Sequence, residues 1–411
     1  MITLTKFAKN AIVVSYYWKE YMKIALIGSK GIPTRSGGVE RHVEELATRF
    51  ASLGHKVTVY GRKSYGLPQK SFFKDVRVLG FPSIATKNLD AITSTFLATM
   101  HILFHSYDIV HYHGIGPSSL LWIIRFFKPR TKVIATFHSL DYFHEKWGGF
   151  AKLYFHIGEW VTCTFPHLTI TISQSLREYV RKNHKRSSVY IPNGCSVEPV
   201  SSQEILNDLE VKPKKYILTV SRIVRHKGIH FLIEAFLNIQ KRRKDLQDWK
   251  LVIVGGSSHT DEYVEELSRL SYKEDSIILA GERSGKELQE LFSHAYIFVQ
   301  PSLFEGLSIA LLEAMGYGIA PLVSDIPENR EAVDTAGFIF ESGNKESLEK
   351  SLEKIIDEPD EVMYKGLLSQ KRAQEEYHWE TISKKTLSVY KNILHKKERY
   401  QEKNMFVRRW I

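Results

Sequence analysis

The chain has 411 residues and a mass of 47.5 kDa. A chain of this length is larger than a domain with a single hydrophobic core usually is, so two domains are expected. Hydrophobic residues make up 43% and charged residues 25%, an ordinary globular composition that excludes disordered, collagen-like and disulfide-stapled proteins. The formal net charge of +11 favours anionic partners, namely nucleic acid, phosphorylated small molecules or acidic lipids. Two cysteines, Cys163 and Cys195, are too few for a secreted framework and indicate a reducing cytoplasm.

The N-terminal stretch carries no pattern typical of export or of a membrane anchor. Lys6 and Lys9 precede only a brief apolar stretch, without the long apolar region and cleavage site of a signal peptide. No apolar run approaches the roughly 18 to 20 residues that span a bilayer. The first clear strand begins at Met22, so residues 1–21 are expected to be an extension outside the fold.

Two series of alternating strands and helices follow, and such alternation predicts parallel sheets with helices on both faces. In the first series, strands are predicted at 23–28, 56–60, 108–113, 132–137, 168–172 and 188–191. In the second series, they are predicted at 216–221, 251–255, 276–280, 296–300 and 319–324. Two doubly wound α/β domains that face each other place a ligand cleft between the carboxyl ends of both sheets.

The predicted domain boundaries follow from these series. The first Rossmann-like domain is expected at 22–195, an irregular hinge at 196–215 and the second Rossmann-like domain at 216–380. A C-terminal helix with a basic tail is expected at 381–411, with the helix crossing back to the first domain.

The most informative motif is a pair of carboxylates, Glu305 and Glu313, in a loop and in the helix that follows it. Between them Gly306, Leu307 and Ser308 form the start of that helix, where unpaired N–H groups and the helix dipole favour a phosphate. Glu313 suits two ribose hydroxyls, and Glu305 suits the hydroxyls of a sugar. The alternative is an amphipathic helix with an incidental acid, although a buried carboxylate needs partners.

A basic loop follows the first strand of the second series. It contains Arg222 and Lys227, with Arg225 and His226 beside them. Two cations at the carboxyl end of a strand suit a diphosphate leaving group, because a guanidinium fork and an ammonium neutralise its charge. A solvated basic loop is the alternative.

The glycine-rich loop at 28–38 precedes the first helix and allows a ligand to approach the backbone closely. It does not match the G-x-G-x-x-G of dinucleotide-binding proteins, and Gly61 and Arg62, not an acidic residue, end the second strand. Binding of a nicotinamide cofactor remains an alternative only because the side chain of Arg62, at the end of the second strand, suits a 2′-phosphate.

Several histidines lie at predicted strand ends: His111, His113, His138 and, nearby, His144. The H-x-H pair is compatible with a metal ion, but the sequence shows no convincing carboxylate or thiolate partners, and single structural histidines are the alternative. We interpret His138 as a polar group presented into the cleft.

Together these motifs resemble glycosyltransferase family 4, which comprises retaining enzymes with the GT-B architecture. The resemblance rests on EGLSIALLE at 305–313, SR and KG within 221–228, the Gly-Gly loop, and IPNG at 191–194. It covers about residues 22–395, and the first half is similar to bacterial members that build surface polysaccharides.

The resemblance implies a role for each candidate residue. The first domain becomes the acceptor side and the second the donor side, with Arg283 near the base, Gly38 near the phosphates and His138 on the transferred sugar. The implied catalytic residues are Arg222, Lys227, Glu305 and His138. The implied donor-binding residues are Gly37, Gly38, Arg222, Lys227, Arg283, Glu305, Gly306, Leu307, Ser308 and Glu313.

The sequence therefore predicts a retaining transferase that moves a sugar from a nucleotide-diphosphate sugar to a glycan or lipid-linked glycan in polysaccharide biosynthesis. No metal is expected, because the D-x-D pair of metal-dependent sugar transferases is absent from the chain. No cofactor beyond the co-substrate and no nucleic acid partner are expected. The expected location is the cytoplasm, with a peripheral contact to an anionic inner membrane face through the basic segment 395–411. A nucleotide-sugar epimerase and a non-catalytic nucleotide-sugar or glycan-binding protein stay as alternatives.

Overall fold

The structure is a computed structural model that describes residues 21–408, except residues 36, 85, 87, 88, 141–148 and 258–260. The extension expected at 1–21 lies outside this part apart from Tyr21, and so does His144. Side chains of the basic tail beyond His395 also lie outside it. In the described part of the chain, no helix combines the length and the apolar composition that crossing a bilayer requires.

Within the described residues, the first half of the chain forms an eight-stranded sheet with helices on both faces. Its strands are β1 (Lys23–Ile27), β2 (Lys56–Arg62), β3 (Lys70–Phe73), β4 (Val76–Phe81), β5 (Ile109–His113), β6 (Lys132–Phe137), β7 (Leu168–Thr171) and β8 (Val189–Tyr190). They lie in the order β3-β4-β2-β1-β5-β6-β7-β8, and neighbouring strands run parallel except for β3 and β4. Its helices are α1 (Gly38–Ser52), α2 (Asp90–Leu103), α3 (Ile115–Ser118), α4 (Leu121–Phe127), α5 (Gly149–Thr164) and α6 (Gln174–His184).

The second half forms a six-stranded parallel sheet among the described residues. Its strands are β9 (Tyr216–Val220), β10 (Lys250–Val254), β11 (Ile277–Gly281), β12 (Ile297–Gln300), β13 (Ala320–Ser324) and β14 (Phe338–Phe340), in the order β11-β10-β9-β12-β13-β14. Its helices are α7 (Glu204–Asp208), α8 (Ile229–Arg242), α9 (Asp261–Leu270), α10 (Gly285–His294), α11 (Ile309–Gly316), α12 (Pro327–Val333), α13 (Lys345–Asp357) and α14 (Pro359–Glu376). The prediction of two doubly wound α/β domains is confirmed.

The last helix, α15 (Trp379–Arg408), returns to the first domain and packs on α1. Trp379, Ile382 and Tyr390 are fully buried in the core that α1 and β1 share. The hydroxyl of Tyr390 also lies 2.6 Å from Nδ1 of His111 in β5, so a polar contact fixes this helix against the sheet. The expected crossing of the C-terminal helix is confirmed.

Three strands were missed by the sequence prediction. β3 and β4 form an antiparallel hairpin through Lys74 and Asp75, whose φ angles of 44° and 64° are those of a tight turn with two left-handed residues. This pair lacks the glycine that usually marks such turns. The short edge strand β14 was also missed.

The segment 196–215, for which the sequence predicts a hinge, contains helix α7. Ile205 and Leu206 of this helix are buried in the core of the second domain, and the carboxylate of Glu290 in α10 accepts the N–H of Ile205 at 2.9 Å. The segment is thus packed on the second domain, and its function as a hinge stays a prediction.

Candidate functional site

A cleft of about 760 Å³ lies between the two domains, at the carboxyl ends of β6 and β7 on one side and of β9 and β10 on the other. This is where doubly wound sheets bind their ligands. The first domain contributes Gly37, Gly38 and His138 to its lining. The second domain contributes Arg222, Lys227, Arg283, Glu305, Gly306, Leu307, Ser308 and Glu313. The structure therefore brings the predicted site residues together, although they lie far apart in the chain.

The centre of the second domain's wall is an ion pair between Lys227 and Glu305. Nζ of Lys227 lies 2.5 Å from Oε1 of Glu305, and both side chains are largely buried. The hydroxyl of Ser302 donates a hydrogen bond to the same carboxylate oxygen at 2.7 Å. These contacts hold a cation and a hydrogen-bond acceptor side by side in the wall of the cleft.

The other two predicted cations differ in how they are held. Arg222 is exposed on the loop after β9, and no carboxylate among the described residues forms an ion pair with it. Arg283 is anchored on its own domain: its Nε donates to the carbonyl oxygen of Ala280 at 2.9 Å, and its guanidinium lies 3.3 Å from Glu287. Arg222 is therefore available to an anion, whereas Arg283 presents a fixed side chain at the cleft.

Helix α11 begins at the cleft, with Ser308 as its N-terminal cap. The hydroxyl of Ser308 accepts the N–H of Leu311 at 3.3 Å. The amides of Ile309 and Ala310 at the start of this helix have no partner within it, which is the general property that makes helix N-termini bind anions. Gly306, Leu307 and Ser308 thus lead directly into the start of α11, and their contact with a phosphate stays a prediction.

Glu313 lies on α11 and faces the first domain across the cleft. Burial raises the pKa of its carboxyl to about 7, while the Arg41 guanidinium opposes this shift and the Glu45 carboxylate adds to it. Both neighbours belong to α1. The protonation state of Glu313 therefore depends on the contact between the two domains.

The glycine loop before α1 is shaped by two carboxylates of that helix. Oε1 of Glu40 accepts the N–H of Lys30 at 3.1 Å, and Oε2 of Glu44 accepts the N–H of Thr34 at 2.5 Å. Gly37 has a φ of 106°, and a Cβ there would lie 2.1 Å from the Glu40 carboxylate. This position therefore requires a glycine. Gly37 and Gly38 of this loop line the cleft.

His138 belongs to a buried cluster with His42 and His113. The three rings have potential ligand nitrogens within 4.8 Å of one another, and Nδ1 of His113 lies 3.2 Å from Nε2 of His138. Burial lowers the pKa of His42 to about 4 and the pKa values of His113 and His138 well below the ordinary value. The cluster is therefore neutral near pH 7. His111 is outside this set of ligand nitrogens, but its ring centroid lies 4.1 Å from that of His113, and its nitrogens bond to Thr136 and Tyr390.

Asn193 connects this cluster to the second domain. Its Oδ1 lies 2.8 Å from Nδ1 of His42, and its Nδ2 donates to the carbonyl oxygen of Leu307 at 2.7 Å. Sequence reasoning placed Asn193 only within a family motif and did not identify His42. The position of His42 on the buried face of α1, next to Val43, was the available indication of its role.

A second interdomain contact lies at the edge of the cleft. The carboxylate of Glu331 in α12 accepts the N–H of Gln174 at the start of α6, and Glu328 accepts the hydroxyl of Ser175 at 2.6 Å. A carboxylate at a helix N-terminus is stabilising because of the helix dipole. The second domain therefore caps a helix of the first, and the sequence contained no indication of this pairing.

Comparison with known proteins agrees with this geometry. Residues 36–198 match the family described as Glycosyltransferase Family 4, and residues 201–372 match Glycosyl transferases group 1. An uncharacterised glycosyltransferase of Methanocaldococcus jannaschii is 27% identical over 396 residues, which cover 90% of this chain and 98% of that protein.

Solved structures share the fold. Sucrose-phosphate synthase of Thermosynechococcus elongatus aligns with a TM-score of 0.78 and 20% identity over 90% of this chain and 99% of that one. HepE of Anabaena, solved in complex with UDP-glucose, aligns with a TM-score of 0.73 and 17% identity over 90% and 100%. With a cleft between two parallel sheets and matches to both halves, the chain belongs to glycosyltransferase family 4 and has the GT-B fold.

Proposed function

We propose that this protein transfers a sugar from a nucleotide-diphosphate sugar to a hydroxyl acceptor, with retention of the anomeric configuration and without a metal ion. The observation that carries the proposal is the Lys227–Glu305 ion pair in the wall of the cleft that Arg222 also lines. Two cations suit the diphosphate, and a carboxylate beside them suits the hydroxyls of the sugar that it carries.

The donor is proposed to lie along the second domain. Its diphosphate contacts Arg222, Lys227 and the start of α11, and its ribose hydroxyls donate to Glu313. Uridine diphosphate sugars are the first donors to test, because the structurally similar HepE was solved with UDP-glucose. The base is proposed to lie near Arg283, since this residue of the second domain lines the same cleft.

The proposed reaction takes place on one face of the sugar. The bond from the anomeric carbon to the leaving phosphate oxygen breaks, and a bond to the acceptor oxygen forms on the same face. The acceptor proton passes to the departing phosphate. The protein contributes position and charge stabilisation, with Lys227 and Arg222 against the phosphate charge and the neutral His138 on the sugar.

The proposed acceptor is a glycan or a lipid-linked glycan in polysaccharide biosynthesis, bound from the first domain. This part of the proposal rests on the resemblance of the first half to bacterial surface-polysaccharide transferases. A cytoplasmic location and a peripheral membrane contact belong to the same proposal, since lipid-linked acceptors lie at a membrane surface.

The test is a donor screen by thermal shift with UDP-, GDP-, ADP- and dTDP-sugars, followed by NMR of the product made from the best donor. An α-linked product from an α-linked donor supports retention, and an inverted anomer contradicts it. Conversion of the donor sugar without any acceptor would indicate an epimerase. Donor binding with no turnover on any acceptor would indicate a binding protein.

A further inference from the structure

The first domain exposes a continuous apolar surface on the helices α2, α4 and α5. Phe104 at the end of α2 is 86% exposed, and Phe127 at the end of α4 is 70% exposed, which is exceptional for phenylalanine. We call this surface the apolar face, and its residues are Phe96, Leu97, Phe104, Trp122, Phe126, Phe127, Leu153, Ile157 and Trp160. Large exposed apolar patches on soluble proteins mark interaction sites.

Helical spacing places these side chains on one side of each helix. In α5, Leu153, Ile157 and Trp160 follow one another at intervals of four and three residues, and in α4 Trp122 and Phe126 are four apart. An amphipathic helix of a folded domain turns such a stripe toward the core. Here the stripes of α4 and α5 face outward.

The three helices form one surface through specific contacts. The ring of Phe165 lies 5.7 Å from that of Phe126 and 5.2 Å from that of Trp160, which joins α4 to α5. Nζ of Lys128, directly after α4, donates to the carbonyl oxygen of Ile102 in α2 at 3.0 Å. The residues of the apolar face therefore lie on three helices that contact one another.

Among the described side chains, the charge around this face is mainly positive. The two carboxylates on the described side chains of α2, α4 and α5 are both engaged: Asp90 pairs with Arg62 at 2.9 Å, and the buried Glu159 accepts the hydroxyl of Tyr179 at 2.8 Å. Cations lie in α4, directly after it and along α6, which packs against α5. They are Arg125, Lys128, Arg130, Arg177, Arg181, Lys182, Lys185 and Arg186, against the single acid Glu178, which pairs with Arg181 and Lys182.

The apolar face begins at the edge of the sheet from which the cleft opens. A groove of about 590 Å³ lies between the loop after β4 and helix α2, lined by Ile84, Ile92, Phe96 and Leu120. β4 and β5 belong to the same parallel set, so their carboxyl ends lie at one edge of the sheet. The groove therefore lies at the same edge of the sheet as the cleft.

We infer that the apolar face docks on an anionic lipid bilayer, with its aromatic side chains in the headgroup region and the cations of α4 and α6 against the lipid phosphates. Aromatic residues and a surrounding set of lysines and arginines are the combination that binds acidic interfaces. No helix in the described part of the chain is long and apolar enough to span, so the face lies on the membrane surface. This assigns membrane contact to the first domain, in addition to the basic segment 395–411.

Flotation with vesicles tests this inference on the full-length protein. The vesicles contain phosphatidylcholine and phosphatidylglycerol in equal amounts, with pure phosphatidylcholine for comparison. The variant combines Phe104→Ser, Phe127→Ser and Leu153→Ser, which are all more than half exposed and belong to no buried cluster. We expect its partition onto the anionic vesicles to fall about tenfold or more, because three inserting side chains are lost.

The second domain offers a matched control. Met363, Tyr364 and Leu367 of α14 are equally exposed but are preceded by Asp360 and Glu361. The triple serine variant of these residues is expected to float like the unaltered protein. A thermal shift with UDP, expected to be the same for both variants, separates loss of docking from loss of fold and does not depend on turnover.

Two further outcomes would overturn the inference. In the first, the apolar-face variant floats as well as the unaltered protein, whereas a chain ending at Leu394 does not, which assigns binding to the tail alone. In the second, sedimentation without lipid shows a dimer that the apolar-face variant converts to a monomer, and neither protein floats. The face would then be an interface between two copies of the chain.

Discussion

A Cβ atom on Gly306 would lie 1.9 Å from the carbonyl oxygen of His138. The loop that leads into α11 of the second domain therefore touches the backbone at the end of β6 in the first. At this distance a backbone oxygen cannot move aside as a flexible side chain would. The closeness of the two walls of the cleft thus depends on a residue without a side chain.

Gly306→Ala is expected to lower kcat/KM at least tenfold and to cost about 1–3 kcal/mol of unfolding free energy, because an added methyl group overpacks the contact. Urea unfolding and steady-state kinetics measure the two effects. Gly38→Ala provides a control for folding, since a Cβ there meets only Cδ1 of Ile309 at 3.9 Å. An unaltered unfolding free energy for Gly306→Ala would show that the domains are not in contact as described.

Arg222→Ala and Lys227→Ala are each expected to lower kcat by about 10²–10³, because removal of one group that stabilises developing charge costs about 3–4 kcal/mol. Arg222→Ala leaves the fold unchanged, since this side chain is exposed. Arg225→Ala in the same loop is the matched control, because Arg225 pairs with Glu266 outside the cleft lining. Near-normal kcat in both variants at saturating donor contradicts the assigned role.

Activity is expected to persist in EDTA, because arginine and lysine side chains neutralise the diphosphate in place of a metal ion. Among the described residues, His42, His113 and His138 form the group whose spacing is compatible with a metal. Loss of activity in chelator that Mn²⁺ or Mg²⁺ restores would disprove the metal-free reaction. Restoration by Zn²⁺ alone would direct attention to these histidines.

Glu313→Gln is expected to stabilise the ligand-free protein above pH 7. The carboxyl has a folded-state pKa of about 7 against an ordinary value of 4.5, so its ionisation costs stability as the pH rises between these values and the cost is constant above. The variant lacks this group, and its gain over the unaltered protein grows from near zero at pH 4.5 to about 3 kcal/mol at pH 8. Thermal unfolding across this range measures the difference, and a gain independent of pH contradicts it.

Donor affinity depends on the same carboxyl in the opposite sense. Ribose hydroxyls donate to the ionised form, so binding becomes tighter as the pH rises toward about 7 and is constant above it. Calorimetry with the best donor measures this dependence. In Glu313→Gln the affinity is weaker, and its change around pH 7 is absent. A donor affinity that falls as the pH rises in the unaltered protein would exclude this role for Glu313.

The sequence by itself determined the features that short segments carry. A strand such as β1 consists almost entirely of apolar residues, so it can be recognised from its own segment of the sequence. Glu305 and Glu313 lie in one loop and the helix that follows it, so this pair can be recognised in the same way. The same holds for Arg222 and Lys227, which lie in one loop. Where a short turn lacked glycine, as at Lys74 and Asp75, the local pattern failed and the hairpin was missed.

Only the tertiary structure decided the relationships between distant residues. Asn193 meets both His42 and Leu307, and Glu331 caps a helix more than 150 residues away in the chain. The raised pKa of Glu313 arises from burial against the other domain. In the same way Leu121 is buried while the adjacent Trp122 is 40% exposed. Hydrophobicity belongs to a residue, but burial, pairing and electrostatic environment belong to the arrangement of both domains, which a single local pattern does not contain.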